Sequence, residues 1–464
     1  MQVQGVQKLR QALHLCDLSS LSISSVAPVF SVAAAGPVMA RAAGVDVPIA
    51  ILMIAVPFVL CSWIFFSLNR HFPNAGGSYH WSRRIFGRQY SYFQAWIVLM
   101  AYFWSIPPIL LPAARFTLSA FGQAATPVTT LIFSGFWAIF AAWVLLKGAR
   151  LTARVTQMFL LIELLSVGFM VVIGYNHWGM AVAGAGSFSF GQIHWAGVVV
   201  CMVVAATIVD GWEIDTYAAE ESHNPRRTPG WGGMVGACSV VVYYLLIWPL
   251  LLHQVPLAGL QQSSDSLALW AEDVAPGFLP WMKVAVVAST AGSLWLTTFI
   301  LSRSLFAMGR DRMMPVFFAS LNRAQAPIVA IVAPIALSML VLCMRLFFPG
   351  TRSFFDLALG AAGFFLVAEF LLDGVNMLYF LTLGHYRILH PHKHLSRHRH
   401  LGLLFSAILV VLSLSGVEIL FLVFGPGYIA PGIDKTVIVF MGLGLVYMFF
   451  LRWRHHHHGI FLLT

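Results

Sequence analysis

The length of its apolar runs is the feature that most limits what this chain can fold into. Runs of about twenty apolar residues recur along it, which is the length a helix needs to cross ~30 Å of hydrocarbon. Of the 464 residues, 59% are hydrophobic and 9% are charged, whereas soluble domains carry roughly 25% charged residues. The sequence therefore predicts an integral membrane protein.

The runs predict an all-α fold, because a lipid-exposed strand outside a closed barrel leaves its backbone groups unpaired. Polar residues, prolines and glycines divide the chain into about twelve transmembrane helices, called spans below. We expect them at residues 15–40, 48–69, 91–119, 127–146, 152–174, 195–219, 232–253, 279–309, 327–348, 355–383, 402–424 and 436–452.

The basic residues predict how the spans are oriented. If the N-terminus is cytoplasmic, most of the 27 lysines and arginines lie on that side. The exceptions are Arg41, Arg115, Lys283, Arg345, Arg352 and Lys435. This asymmetry follows the positive-inside rule. We expect a multi-pass protein of the cell membrane with both termini cytoplasmic. The net charge of +10 then needs no nucleic-acid partner.

Several function classes lack the residues they require. No polar stretch is long enough for a nucleotide-binding domain, and no GxxxxGK[ST] phosphate loop occurs. The five cysteines are scattered without metal-ligand spacing, so we expect no metal and no cofactor. No catalytic constellation points to an enzyme. Energy for any transport would come from a gradient of an ion or solute.

The first span contains a candidate break at residues 22–28 (SISSVAP). Pro28 removes its own N–H and crowds the carbonyl of Ser24, which interrupts a helix. Transporters commonly bind their substrate where equivalent helices of two repeats are broken. Freed carbonyls beside the hydroxyls of Ser24 and Ser25 would form a polar pocket. An ordinary proline kink is the alternative interpretation.

The sixth span contains a second candidate break, where Asp210, Gly211, Glu213 and Asp215 interrupt an apolar run. Each charge near the bilayer centre costs roughly 2.5–3.5 kcal/mol. Asp210 and Glu213 have capping-box spacing, which predicts a half-helix that starts at Gly211. Its N-terminus would attract an anionic group. Whether Asp210 only caps the helix or also contacts substrate stays open.

The two breaks predict how the chain is divided. Their spacing suits two units of five spans, residues 15–174 and 195–383. Two additional helices follow at residues 402–452. Residues 1–14 and 453–464 are then cytoplasmic ends.

Three segments of the sequence resemble one transporter family. Residues 72–81 (FPNAGGSYHW), 220–229 (EESHNPRRTP) and 302–315 (SRSLFAMGRDRMMP) are similar to its patterns FP-x-AGG-x-Y-x-W, EE-x-x-NPRR-x-P and SR-x-x-x-AM-x-RD-x-x-x-P. The family is that of the amino acid, polyamine and organocation (APC) transporters. The three matches occur in the family's order along the chain.

The resemblance implies a leucine-transporter-type fold, with two inverted five-helix repeats and substrate held between discontinuous helices one and six. In the family, the substrate carboxylate meets the first break and its amine meets the sixth. Carried onto this chain, the resemblance implies a binding site at Ser24, Ser25, Val26, Ala27, Pro28, Asp210, Gly211 and Trp212.

The sequence departs from the family at two places. The family's GSGIF aligns with residues 26–30 (VAPVF), where proline offers no N–H, so a carboxylate would use neighbouring amides or serines. In span five, a lysine of some members aligns with Glu163. A carboxylate at mid-span can take a proton when desolvated. We assign Glu163 and Glu213 as candidate coupling groups; a structural acid hydrogen-bonded to a neighbouring helix is the alternative for Glu163.

The expected function is secondary active transport of an amino acid, proton-coupled or by exchange, with Glu220, Glu221 and Arg226 as a cytoplasmic ion-pair network or gate. One alternative is transport of a polyamine or another small amine without a carboxylate. A second is a nutrient sensor that does not transport. The expected partners are a small-molecule substrate, the lipid bilayer and protons; the oligomeric state is not predicted.

Overall fold

A computed structural model of the protein describes residues 8–179, 190–344, 351–383 and 397–458. The ends of the two predicted cytoplasmic tails therefore lie outside the described residues. Within these ranges the chain is helical, without a β-strand. Nine continuous helical stretches there are long and apolar enough to cross a membrane, and Trp195–Val209 and Ile328–Met344 are shorter apolar helices.

The longest stretch, Leu15–His71, contains two spans because the turn Gly44–Asp46 divides it, so about twelve spans result, as predicted. In chain order, spans one to six are Leu15–Val26 with Pro28–Phe30 and Gly36–Ala43, Val47–His71, Arg88–Ser105 with Pro107–Ala120, Pro127–Leu146, Ala149–Asn176, and Trp195–Val209 with Ile214–Tyr217. Spans seven to twelve are Thr228–Gln254, Leu279–Arg310, Ile328–Met344, Thr351–Thr382, Arg397–Tyr428 and Ile433–His458.

Three helices lie in loops where hydropathy gave no signal: Gly77–Ile85, Leu257–Gln262 and Ser266–Val274. The last begins after Asp265, whose carboxylate accepts the N–H groups of Leu267 and Ala268 at 3.1 and 2.9 Å. Such N-caps satisfy amides that the first helical turn leaves unpaired. Short amphipathic helices of this kind need no apolar run, so hydropathy does not indicate them.

Contacts between spans follow a pseudo-symmetric pattern. Span one packs on span seven, and correspondingly span six packs on span two. Span one also packs on span five, and correspondingly span six packs on span ten. Span five packs on span eight, and span ten packs on span three. Span three packs on span four, and span eight packs on span nine. Each pair maps onto the other when a span is exchanged with the one five places along, as two inverted five-helix repeats require. The predicted fold class is confirmed; the exact limits of each unit stay a prediction.

Both ends of the described chain lie on one face of the bundle, called the terminal face below. The N–H groups of Ala12 and Leu13 donate to the Glu221 carbonyl at 2.8 and 3.0 Å. At the other end, the Tyr447 hydroxyl of span twelve donates to the Met313 carbonyl at 3.4 Å. Span eleven packs on spans two, six and ten, and span twelve on span three, so the two additional helices cover the outside of the repeats.

Candidate functional site

Span one is broken at Ala27, which has a left-handed backbone with φ +49°. Pro28 disfavours the α conformation at the residue before it and lacks an N–H of its own. The chain restores pairing locally: Ala27 N–H donates to the Ser24 carbonyl at 3.0 Å, and Ser31 Oγ donates to the Val26 carbonyl at 2.9 Å. The predicted discontinuity is therefore confirmed, and it lies midway along a buried span.

Span six is broken between Val209 and Ile214. Asp210 is extended, with ψ 179°, and Gly211 has φ +106°. A Cβ added at Gly211 would lie 2.7 Å from the backbone carbon of Ser25. Only glycine fits both the conformation and the space. The two breaks therefore meet backbone against backbone.

The predicted cap at this break needs correction. The half-helix begins at Ile214 rather than at Gly211, and Asp210 does not cap it. Instead, the Glu213 carboxylate accepts Gly211 N–H at 2.7 Å and the Tyr102 hydroxyl at 3.1 Å. Because residues 210–213 are not helical, capping-box geometry cannot form, and Asp210 lines a cavity instead.

A small cavity of about 50 Å³ lies between the two breaks. A water needs roughly 10–15 Å³ of such space, so the cavity is narrow. Serines and threonines of spans one, three, six and eight line it together with apolar side chains. Its charged lining residues are Asp210 and Glu213, and none of its described lining residues is a lysine, arginine or histidine. The cavity therefore favours a cationic group over an anionic one.

The structure divides the predicted binding residues into two groups. Ser25, Val26, Ala27, Asp210 and Gly211 line the cavity, together with the predicted coupling group Glu213. Ser24, Pro28 and Trp212 are buried but are not among the lining residues.

Trp212 lies away from the cavity, contrary to the expectation that it meets the substrate amine. Its ring packs edge-on against Phe65 and tilted against Phe370, with centroids 5.1 and 5.4 Å apart. The Trp212 ring follows the non-helical turn and packs in an aromatic cluster with residues of spans two and ten. Glu213 occupies the cavity wall instead.

Glu163 is buried between spans one, five and eight and is not among the residues that line the small cavity. A Cβ on Gly292 would lie 3.1 Å from Ser24 Oγ and 3.9 Å from Glu163 Oε1. No hydrogen bond reaches either of these side chains from any residue that the structure describes. The nearby hydroxyl of Ser289 accepts Phe30 N–H at 3.0 Å. The glycine therefore lets span eight approach Ser24 and Glu163 closely beside the first break.

Two ion pairs close the terminal face between spans six and eight. Arg303 donates to both carboxylate oxygens of Glu221, at 3.0 and 2.9 Å, and both side chains are buried. Arg310 likewise donates to Glu220, at 2.8 and 2.6 Å. Ala75 N–H, from the loop after span two, also donates to Glu220 at 3.1 Å. These contacts join the end of span eight, the segment after span six and the loop after span two into one closed layer.

The expectation for Arg226 needs correction. Its side chain is exposed and has no ion pair with any described residue. The turn that carries Arg226 is held by Asn69, whose amide donates to the Pro225 carbonyl at 2.8 Å. This turn directs the arginine outward.

Burial alone would raise the pKa of Glu220, but hydrogen bonds and charge from Arg310 outweigh it and hold that pKa below its ordinary value.

A wide vestibule of about 750 Å³ opens on the opposite face. Arg41, paired with Asp356 at 3.1 Å, and the exposed Arg115 lie in its wall. Phe30 lines the small cavity and Phe116 lines the vestibule; their rings meet edge to face, 6.5 Å apart. The structure thus has a closed terminal face, an open vestibule and an aromatic pair between vestibule and cavity.

Asp265 at the vestibule rim predicts a pH dependence of stability. Burial raises its pKa to about 6, against the amides of Ala268 and Leu267 and the charge of Lys283. A carboxyl with a raised pKa binds its proton more tightly when folded. Its contribution to stability is therefore greatest below the ordinary value of 3.8 and is lost as pH rises to about 6.

The variant Asp265→Asn keeps a good N-cap but does not titrate. We expect the melting temperature of the wild type, measured relative to that of the variant, to fall as pH rises from about 4 to about 6 and to stay level above it. Thermal unfolding of both proteins in one detergent measures this difference. A difference that is constant across the window contradicts the assignment.

Similarity to a known protein family is found along most of the chain. The family model described as amino acid permease matches residues 13–451. The chain belongs to the amino acid permease family. The match includes both breaks, the cavity and the ion pairs of the terminal face, so the whole site lies within the family's region.

Curated relatives of this chain are distant in sequence. It is 20% identical over 360 residues to a vacuolar cationic amino acid transporter 4 of Arabidopsis thaliana, with 71% of this chain and 58% of the relative covered. It is 23% identical over 351 residues to cationic amino acid transporter 4 of Homo sapiens, covering 70% and 54%. The branched-chain amino acid permease BcaP of Lactococcus lactis subsp. cremoris is 21% identical over 343 residues, covering 68% and 72%. The chain thus spans less than two thirds of the first two relatives.

Proposed function

We propose that this permease moves amino acids across the cell membrane by secondary active transport. The observation that carries the proposal is the cavity between the two broken spans, placed between an open vestibule and an ion-paired terminal face. A site at mid-membrane that is closed on one side and approached from the other is what alternating access requires. With the terminal face proposed to be cytoplasmic, the vestibule is the approach to the cavity from outside.

The substrate amine is proposed to meet the carboxylates of Asp210 and Glu213, which supply the negative charge of the cavity wall. The carboxylate is proposed to meet the first turn of the outer half of span one, whose N–H groups have no intrahelical acceptors. Phe30 N–H is taken by Ser289, and Pro28 has none, so Val29 N–H and Ser25 Oγ are the remaining donors. Ser25 Oγ has no hydrogen bond to any described residue.

Uptake of labelled amino acids into proteoliposomes tests this function. Neutral and basic amino acids are to be presented with and without an inward pH gradient, and with and without amino acid inside. We expect saturable uptake that responds to the pH gradient or to the internal substrate. Uptake that ignores both overturns the coupling, and specific binding without flux points to a sensor.

Glu163 is proposed to be a group that couples transport to protons. It lies beside the first break with Ser24, near the Ser289 hydroxyl of span eight, and has no ion pair with a described residue. In the variant Glu163→Gln the side chain keeps its size but cannot exchange a proton. We expect stimulation of uptake by a pH gradient to fall about fivefold or more, while exchange of internal for external substrate continues.

Glu418→Gln is the matched control, because Glu418 is also a buried carboxylate without a described partner, on span eleven. It is expected to keep the response to pH. Undiminished stimulation in Glu163→Gln would remove Glu163 from the coupling mechanism.

A small amine without a carboxylate is a second candidate substrate. Both charged residues of the cavity wall are acidic, and Pro28 removes one donor from the place where a carboxylate would bind. Inhibition of uptake by putrescine, without inhibition by neutral amino acids, would favour this candidate.

A further inference from the structure

A second cluster of buried polar groups lies outside the cavity, between spans three, six and ten. Glu369 and Asp373 are one helical turn apart on span ten and are buried. One oxygen of Glu369 accepts the Tyr217 hydroxyl at 2.6 Å and the Ser78 hydroxyl at 2.8 Å. One oxygen of Asp373 accepts the Gln94 amide at 2.8 Å. Across the described ranges, neither carboxylate has an ion pair.

The other half of this cluster consists of oxygens without donors. Glu369 Oε2, Asp373 Oδ2 and Asn376 Oδ1 are buried and have no hydrogen-bond partner among the described residues. The Asn376 amide nitrogen is already used, because it donates to Asp373 and to Gln94, each at 2.9 Å. An unpaired buried acceptor costs about 1–3 kcal/mol, and more when it is charged. The cluster therefore lacks a donor.

A proton is the smallest group that supplies this donor. Placed on Glu369 Oε2 or Asp373 Oδ2, it removes one uncompensated charge and provides an O–H for a neighbouring acceptor. A multivalent metal fits less well, because no group of three or more His, Cys, Asp or Glu side chains suited to a metal is found among the described residues. A pair of carboxylates also needs no more than one added proton to relieve its mutual repulsion.

Two tyrosines in contact lie between the cluster and the substrate cavity. The Tyr217 ring packs edge to face on the Tyr102 ring, with centroids 5.8 Å apart. The Tyr102 hydroxyl donates to Glu213 at 3.1 Å, and Glu213 lines the cavity. A change of charge at Glu369 can therefore reach the cavity wall through two tyrosines.

The titratable groups that act on this pair come from spans two, three and six. They are Cys61, Tyr90, Tyr102, Asp210, Glu213 and Tyr217. All of them are acids, and none supplies a positive charge. Any charge that balances the two carboxylates must therefore enter from outside this set.

We propose that Glu369 and Asp373 form a proton-binding site, linked to the substrate cavity through Tyr217, Tyr102 and Glu213. The proton enters from water, binds one free carboxylate oxygen and leaves to water, with no change in electrons. Its part in transport rests on the function proposed above, whereas proton binding itself does not.

Infrared spectroscopy of the purified full chain tests proton binding directly. The carbonyl stretch of protonated carboxyl groups is to be followed against pH in the wild type, Glu369→Gln, Asp373→Asn and the control Glu418→Gln. We expect the first two variants to lose the same pH-dependent band, and the control to keep it. Retention of every band in both variants overturns the proposal.

Proteoliposome uptake then tests the link to transport. We expect Glu369→Gln and Asp373→Asn to reduce stimulation of uptake by a pH gradient about fivefold or more. Exchange of internal for external substrate is expected to persist in both variants. Glu369→Asp still titrates, so we expect it to keep part of the response to the pH gradient. Full stimulation in both variants overturns the link. If the wild type moves no amino acid, the proposed function fails, and the infrared titration still decides the proton site. Thermal unfolding of each variant shows whether it folds.

Discussion

Replacing Arg303 by methionine is expected to destabilise the protein by about 3–5 kcal/mol, the cost of leaving a buried charge without its partner. The guanidinium donates twice to Glu221 and stacks over the Phe299 ring at 3.6 Å. Methionine would keep most of the packing but leave the buried Glu221 carboxylate without its ion-pair partner. Thermal and denaturant unfolding in detergent measure the loss, and proteolysis at the terminal face shows whether that face opens.

A double variant separates the charge from the packing. Glu221→Leu combined with Arg303→Met leaves no unpaired charge, so we expect it to recover most of the stability. Arg226→Met is the surface control, because Arg226 is exposed, and its effect is expected within about 0.5 kcal/mol. If the single and double variants lose equal stability, packing rather than the ion pair holds the terminal face together.

Gly211→Ala is expected to abolish transport or reduce it by about tenfold or more. An added Cβ would lie 2.7 Å from the backbone of both Ser25 and Val26, and the φ of +106° strains any side chain. Backbone in such regions costs of order 1–3 kcal/mol before the clash is counted. Because neither backbone can retreat within a close-packed interior, the two breaks must separate and the cavity between them must change.

Gly168→Ala in span five is the matched control. A Cβ there meets nothing within 4 Å, so we expect unchanged transport and a gain in stability of up to about 1 kcal/mol. Uptake rates and surface expression of both variants decide the comparison. Normal uptake by Gly211→Ala would contradict the close contact of the two breaks.

The spans could be predicted from the sequence because crossing a membrane depends on the composition of one local run. The breaks could be located for a similar reason. Pro28 and Gly211 act on their own backbone, through a missing N–H and a positive φ. The termini of the half-helices were less predictable, and the cap assigned to Asp210 was wrong, because capping requires a turn geometry that the contact with span one prevents.

Partners from distant spans could not be predicted. Glu221 pairs with Arg303, 82 residues away, whereas the sequence suggested the nearby Arg226. Trp212 and Glu213 are adjacent, yet the aromatic cluster of Phe65 and Phe370 turns the ring away from the cavity and leaves the carboxylate in its wall. Glu369 and Asp373 were not among the predicted site residues, although two carboxylates within an apolar run indicate a functional role.

By itself the sequence determined that this protein is a helical membrane bundle with two interrupted spans, since hydropathy and backbone chemistry act over a few residues. Only the tertiary structure decided which acids share a cavity, which are ion-paired and which remain without a donor. Those outcomes depend on side chains brought together from several spans, and desolvation penalises each charge according to the neighbours that packing gives it.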